Sequence, residues 1–182
     1  MRFGFGGSGI GSNMEKTCDK AIADFSKGDS TALSVIYDCM SRMIFSVAYA
    51  ILKDYHDAED VLQDTMIEIY KYSDTYRQGS NPKAWILAMT RHLSIDVVRK
   101  RKSDIPLDEL NEIDISEDNA QAASLEVFEI LGSLDEDDKQ IVIFRLYAGL
   151  SYKEIAGIMS FTVSAAQKRY QRALKKLRAE YK

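Results

Sequence analysis

Apolar residues recur every three or four positions through almost the whole chain, and no sustained apolar/polar alternation interrupts them. A period near 3.6 buries one stripe of a helix, whereas a half-buried strand needs a period of two. The pattern therefore predicts an all-α fold. Leu33, Ile36, Tyr37, Met40, Ile44, Val47, Ala48, Ile51 and Leu52 mark one long helix ending near Asp54, with Ser30 or Thr31 placed to cap it. Cys18, Ala21, Ile22 and Phe25 mark a shorter helix over 14–27, stopped by Gly28. Ala58, Val61, Leu62, Thr65, Met66 and Ile69 mark a third over 56–72, and Pro82 opens a fourth carrying Trp85, Ile86, Met89, Leu93 and Val97.

Four short helices follow, over 121–131, 135–148, 152–159 and 164–181. Gly149 closes the second, and Ser151 with Glu154 forms a capping box that opens the third. Between the two sets, residues 103–120 lack a period, contain Pro106 and are densely acidic, with too little apolar area to offset the entropy of ordering. The expected organisation is a leader over 1–13, a helical domain over 14–102, an acidic flexible linker over 103–120 and a second helical domain over 121–182. Domains this small are marginally stable alone.

Composition narrows the class further. Two Pro, two Cys and 46% hydrophobic residues exclude collagen-like, disulfide-stapled and low-complexity chains. Charged residues interrupt every apolar run before the roughly 18 residues a bilayer span needs, so no membrane insertion is expected. Cys18 and Cys39 lack metal-ligand spacing and read as free thiols in a reducing cytoplasm. Residues 1–13 are Gly/Ser-rich without a basic segment before an apolar core, which reads as an added or disordered leader and not a signal peptide.

The net charge is −4, with 24 basic and 28 acidic side chains, but the charge runs in blocks. Arg91, Arg99, Lys100, Arg101 and Lys102 crowd the end of the fourth helix. From Asp104 to Asp138 there is no basic residue at all. The last helix then carries Lys168, Arg169, Arg172, Lys175, Lys176, Arg178 and Lys182 against Glu180 alone. Two basic patches around an acidic segment suggest two polyanion contacts. Residues 152–159, a turn over 160–163 and the basic helix after it form a helix-turn-helix, a shape that fits a major groove. Ser164, Ala165, Gln167, Lys168, Gln171, Arg172 and Lys175 face outward on that helix, where Gln can read a base edge and Lys or Arg can meet phosphate or guanine.

At these positions the chain resembles the sigma factors of bacterial RNA polymerase, of the compact extracytoplasmic-function (ECF) type. The run Asp57-Ala58-Glu59-Asp60-Val61-Leu62-Gln63-Asp64 looks like that family's core-binding helix in region two. Trp85-Ile86, followed by Arg91-His92-Leu93-Ser94-Ile95-Asp96-Val97-Val98-Arg99, looks like its promoter-melting helix. Leu150-Ser151-Tyr152-Lys153-Glu154-Ile155-Ala156 and Lys168-Arg169-Tyr170-Gln171-Arg172-Ala173-Leu174 look like its region-four helix-turn-helix. Several positions depart from the usual pattern: His92 replaces Asn, Ser160 replaces Gly, Asp135 replaces Pro, and Ser164-Ala165-Ala166-Gln167 replaces Gly-Thr-Val-Lys. These changes bear on which promoter sequence is read.

The resemblance implies that the first domain docks on the clamp helices of core polymerase, that the flap takes part in binding, and that promoter DNA is recognised and melted. An anti-sigma protein is a further partner it makes plausible. Asp57, Asp60, Gln63 and Asp64 form a polar stripe able to accept charge-assisted bonds from Arg. Arg77, Gln78, Asn81, Lys83, Arg91, His92, Arg99 and Arg101 surround the 72–81 loop and are candidates for capturing an unstacked strand at the −10 element. The outward groups of the last helix would read the −35 element. Trp85 fits a core position better than a stacking one. The acidic linker serves either as a plain tether or as a polyanion lying in a basic channel.

No nucleotide-hydrolysis motif, serine nucleophile or Cys/His dyad is present, so neither enzymatic activity nor a cofactor is expected. Two other readings compete. One is a dimeric helix-turn-helix regulator that never touches polymerase. The other is a metal-dependent enzyme using His56, Asp57, Glu59, Asp60 and Asp64, disfavoured because those groups sit on one helix start.

Overall fold

The computed structural model describes residues 10–104 and 131–180. The helix expected over 121–131, the linker beyond Asp104 and most of the leader lie outside the described residues. The first module contains α1 (Ile10–Ser26), α2 (Ala32–Leu52), α3 (Tyr55–Tyr72), a 3-10 turn (Ser73–Thr75) and α4 (Pro82–Asp104). The second contains α5 (Glu136–Val142), a π-helical turn (Ile143–Tyr147), α6 (Tyr152–Met159) and α7 (Val163–Glu180). Every described regular element is helical, in two modules.

Local chemistry sets the boundaries. Gly28 takes φ +102 after α1, and the Asp29 carboxylate accepts from the Thr31 backbone N–H (3.0 Å) and hydroxyl (2.6 Å). That turn organises the start of α2, and Thr31 itself makes no side-chain cap, so Asp29 takes the role expected of Ser30 or Thr31. Lys53, left-handed at φ 54, ends α2, and Asp54 starts α3 by accepting from the Asp57 N–H (2.9 Å). Helix α1 begins at Ile10, four residues before the expected start, and so takes in part of the presumed leader.

Helix α2 is the hub of the first module, packed by α1, α3 and α4. Ile36, Met40, Ile44, Val47 and Ala48 are all essentially inaccessible along it. Among the described residues it is also the one helix long and apolar enough, by length and composition, to cross a membrane (mean hydropathy 1.5). The expectation that no stretch reaches that threshold is thus corrected: Asp38 and Arg42 do not dilute the helix enough. Half of it is nevertheless buried inside the protein, which is how a core helix satisfies the same composition. Where α3 meets α4, Thr65, Thr90 and Ser94 are fully buried, and each hydroxyl donates to a carbonyl one turn back in its own helix. Small side chains with satisfied hydroxyls let the two backbones approach.

In the second module Asp135 caps α5 by accepting from the Asp138 N–H (2.8 Å). The helix expected to run regularly to residue 148 widens at Ile143 into a π-turn. The extra residue per turn rotates the face, so Phe144 and Ala148 point into the core while Leu146 and Tyr147 face out. The capping box forms as its sequence implies: the Ser151 hydroxyl accepts from the Glu154 N–H (3.3 Å), and Glu154 Oε2 accepts from the Ser151 N–H (2.7 Å). Ser160 turns the chain at φ 56, and Thr162 then caps α7 by accepting from the Ala165 N–H (3.2 Å). Because the Thr162 hydroxyl serves as cap, α7 starts at Val163, one residue earlier than expected.

The two modules share one buried apolar cluster, joined where α6 meets α4 and α5 meets α2. Among the described residues three polar contacts line the seam. The Asn81 amide donates to Glu154 Oε1 (2.8 Å), the Arg91 Nε–H donates to Gln140 Oε1 (2.8 Å), and Lys53 pairs with Glu136 (2.9 Å). Burial pushes the Glu154 carboxyl pKa up, but bonds from Ser151 and Asn81 and the nearby Lys83 charge outweigh it and hold the value below the ordinary one. A depressed carboxyl pKa stabilises the fold above the unfolded-state value and loses that contribution as pH falls through the folded-state value. Glu154→Gln is expected to flatten the fall of the unfolding midpoint with pH below about pH 4.3, followed by thermal unfolding of both proteins across an acid series. An identical slope in both proteins would contradict the assignment.

Candidate polymerase and DNA interface

Three surfaces carry the expected functional groups. The first is the outer face of α3. Asp60, Gln63 and Asp64 are exposed together on one side, as their spacing of three and four residues requires. Asp57 does not join them. It turns toward the end of α4 and pairs with Arg101, whose guanidinium also donates to the Leu52 carbonyl (3.2 Å). One residue expected to meet polymerase and one expected to meet DNA therefore neutralise each other in the interior angle between α2, α3 and α4. Sequence reasoning also missed the apolar continuation of this face: Ile67 is 48% exposed and Tyr70 67% exposed. Their distance from the core was readable from the α3 period, since both fall off the buried stripe of Ala58, Val61, Thr65 and Ile69.

The second surface is the loop before α4 and the helix that follows. Arg77 and Gln78 are exposed at the loop tip, and His92 and Arg99 are exposed further along α4, each beside Asp96 at 3.4 Å. Asn81 accepts the Lys83 N–H (3.0 Å) to cap α4 while its amide engages Glu154. Arg91 is half-buried against Gln140. Lys83 departs most from expectation: it is 6% exposed and pairs with Glu15 of α1 at 2.7 Å. The ammonium is drawn inward because α1 and α6 both present carboxylates to it. Trp85 lies against Tyr76, ring centroids 5.1 Å apart, and packs on the core.

The third surface is α7. Ala166, Tyr170 and Ala173 are buried, and Ser164, Gln167, Lys168, Gln171, Arg172 and Lys175 are exposed, with Ala165 half-buried beside them. Arg169 works from underneath. Its guanidinium lies over the Phe161 ring (5.0 Å) and meets Asp138 (3.0 Å), Asp137 (3.6 Å) and Asp135 (3.7 Å). Asp138 also contacts Arg172 at 3.4 Å and is itself 5% exposed. The acidic end of the central segment thus anchors the reading helix, a pairing between residues 31 apart that no local period announces. Among the described residues no group of three or more His, Cys, Asp or Glu side chains is placed to hold a metal ion, and Asp57 of the 56–64 cluster is taken up by Arg101.

Comparison with known proteins gives this geometry a family. The Sigma-70 region 2 model matches residues 36–103, and the Sigma-70, region 4 model matches 124–177. Together they take in more than half of the chain. The ECF RNA polymerase sigma factor SigX of Bacillus subtilis is 26% identical over 156 residues, covering 79% of this chain and 80% of SigX. SigW of the same organism is 33% identical over 95 residues, about half of each chain. Among solved structures, CnrH in complex with the cytosolic domain of CnrY shares the fold with a TM-score of 0.68 at 21% identity, over 91% of this chain and 97% of CnrH. RpoE from Bartonella quintana, in complex with the anti-sigma factor NepR, does so with 0.69 at 24% identity, over 79% and 92%. Two modules matched in order fit a sigma factor, a non-enzymatic family, where a regulator built from the helix-turn-helix alone would account for the second module only. The chain belongs to the sigma-70 family as an ECF sigma factor, which directs RNA polymerase in promoter recognition and transcription initiation.

Proposed function

We propose that this sigma factor meets the clamp helices of core polymerase through Asp60, Gln63 and Asp64 of α3, with Ile67 and Tyr70 adding apolar contact at the edge. The observation that carries the reading is the exposure of three acceptor groups beside two large apolar side chains on one helix face. Carboxylates receive guanidinium groups in short, paired bonds, and an adjacent apolar rim excludes water from them. Leu146 and Tyr147, exposed at the π-turn, offer a second apolar contact suited to the flap. The site of action is the cytoplasm, where core polymerase is met. RpoE is recorded with an anti-sigma factor, and a protein covering these same faces would silence this chain by excluding polymerase.

In this reading Arg77, Gln78, His92 and Arg99 receive the separated strand at the −10 element. Asn81 and Arg91 join them when their seam partners Glu154 and Gln140 are released. Lys83 and Arg101 are left to structural pairing with Glu15 and Asp57. At the −35 element Gln167 and Gln171 read base edges from α7 while Lys168, Arg172 and Lys175 hold phosphate, with Ser164 and Ala165 at the helix start close to the groove floor.

Reversing two charges at Asp60 and Asp64 to Lys is expected to weaken core binding about 100-fold, since each lost charge-assisted contact is worth roughly 1.5 kcal/mol. Affinity measured by titration of labelled chain with core enzyme checks it, and undiminished binding by a folded double variant would contradict it. In α7, Lys168→Ala should weaken holoenzyme binding evenly across promoter variants and reduce the salt slope by about one. Gln171→Ala should relax base preference at one position instead, at a cost of about 1–3 kcal/mol for the preferred base. Binding to a single-substitution promoter series at several salt concentrations separates the two, and identical profiles would contradict the assignment.

A further inference from the structure

We propose that Asp19 of α1 is a positioning residue for the strand-capturing loop, fixing both ends of its Arg77-Gln78 tip through one carboxylate oxygen. Asp19 Oδ1 accepts from the Tyr76 hydroxyl (2.7 Å) and from the Gly79 backbone N–H (2.8 Å), and these two donors flank the exposed tip. The bonds cross 57 and 60 residues of sequence, so they are a tertiary clamp and not part of the turn's own geometry. Asp19 also lies outside the segment that the region 2 model matches.

The surroundings make the clamp rigid. The Tyr76 hydroxyl is shared with the Ser80 carbonyl (3.0 Å), and its ring is buried against Trp85. The Ser80 N–H and hydroxyl both donate back to the Arg77 carbonyl (3.0 and 2.7 Å). Gly79 takes φ +82, a conformation that any other residue adopts only with strain. Helix α1 is in turn fixed to α4 by the Glu15–Lys83 pair, so the oxygen that holds the tip is itself held. A loop fixed before it meets its ligand loses less conformational entropy on binding than a loose one. The clamp thus raises the affinity of Arg77 and Gln78 for an unstacked strand without touching that strand.

The inference rests on the strand-capturing role proposed for this loop, and one experiment tests both. Holoenzyme assembled from core and the full chain is compared for wild type, Asp19→Ala, Asp19→Asn, Tyr76→Phe and the double variant Arg77→Ala/Gln78→Ala. Each is scored for opening of a duplex promoter that wild-type holoenzyme selects from a random library, for binding the single strand of its opened segment, and for core affinity. Asp19→Ala is expected to lower opening rate and single-strand affinity about tenfold while core affinity stays unchanged. Asp19→Asn keeps an acceptor oxygen and should recover near-normal opening, and Tyr76→Phe, which keeps the ring but loses one donor, should fall between. Normal opening by Asp19→Ala while the double variant opens slowly would overturn the positioning role. A parallel loss of core affinity in Asp19→Ala would overturn it too, by showing a general structural role. No effect of the double variant would instead remove the loop's strand-capturing role, and the inference with it.

Discussion

A 21-residue helix that is apolar on most of its surface must be covered, and the covering of α2 organises the rest of the molecule. Ile36, Met40, Ile44 and Val47 form one buried stripe, and Ala32 and Ala50 on one side with Ala48 and Leu52 on the other widen it beyond what one neighbour can cover, so α1, α3 and α4 all pack against it. Each of these helices spends one face on α2 and has the other left for external work. On α3 the free face carries acceptors and two large apolar groups. On α4 it carries the basic groups beside the loop. Helix α1 contributes carboxylates, Glu15 and Asp19, that tie the loop and α4 into place.

Charge segregation has a second consequence once the chain is folded. The acidic block does not simply repel the basic ones: its end, Asp135 to Asp138, caps α5 and receives Arg169 and Arg172 of the reading helix. Arg101 is similarly absorbed by Asp57. Pairing takes Arg101 and Arg169 out of the DNA-facing inventory, and the Asp138 contact directs Arg172, which stays exposed. A half-buried pair is costly to break because it leaves one charge stranded, so these contacts set helix orientation more than they add net stability.

Helix existence was legible wherever a local chemical signal accompanied the period. Gly28, Asp54, Pro82, Gly149 and the Ser151/Glu154 box all act within a few residues of where they stand, and the boundaries they mark agree with the structure. The buried stripe of α7 was legible for the same reason, with Ala166, Tyr170 and Ala173 inside and Lys168, Gln171 and Lys175 outside. Long-range partners left no such trace. Nothing near Lys83 in sequence announces Glu15, nothing near Asp19 announces Gly79, and no breaker residue marks the π-turn at 143–147 that puts Phe144 into the core. The exposure of the chosen groups on α3 and α7 was therefore legible in the sequence, and the internal pairing of Asp57, Lys83, Arg101 and Arg169 was not.

The central claim is that this chain acts as a docked partner, taking hold of polymerase and of two promoter elements at once. Transcription by purified core on a random promoter library, with and without the chain, tests it most directly. The account predicts discrete start sites preceded by two spaced sequence elements, seen only when both components are present. Transcripts from the same positions without the chain, or none in its presence, would contradict it.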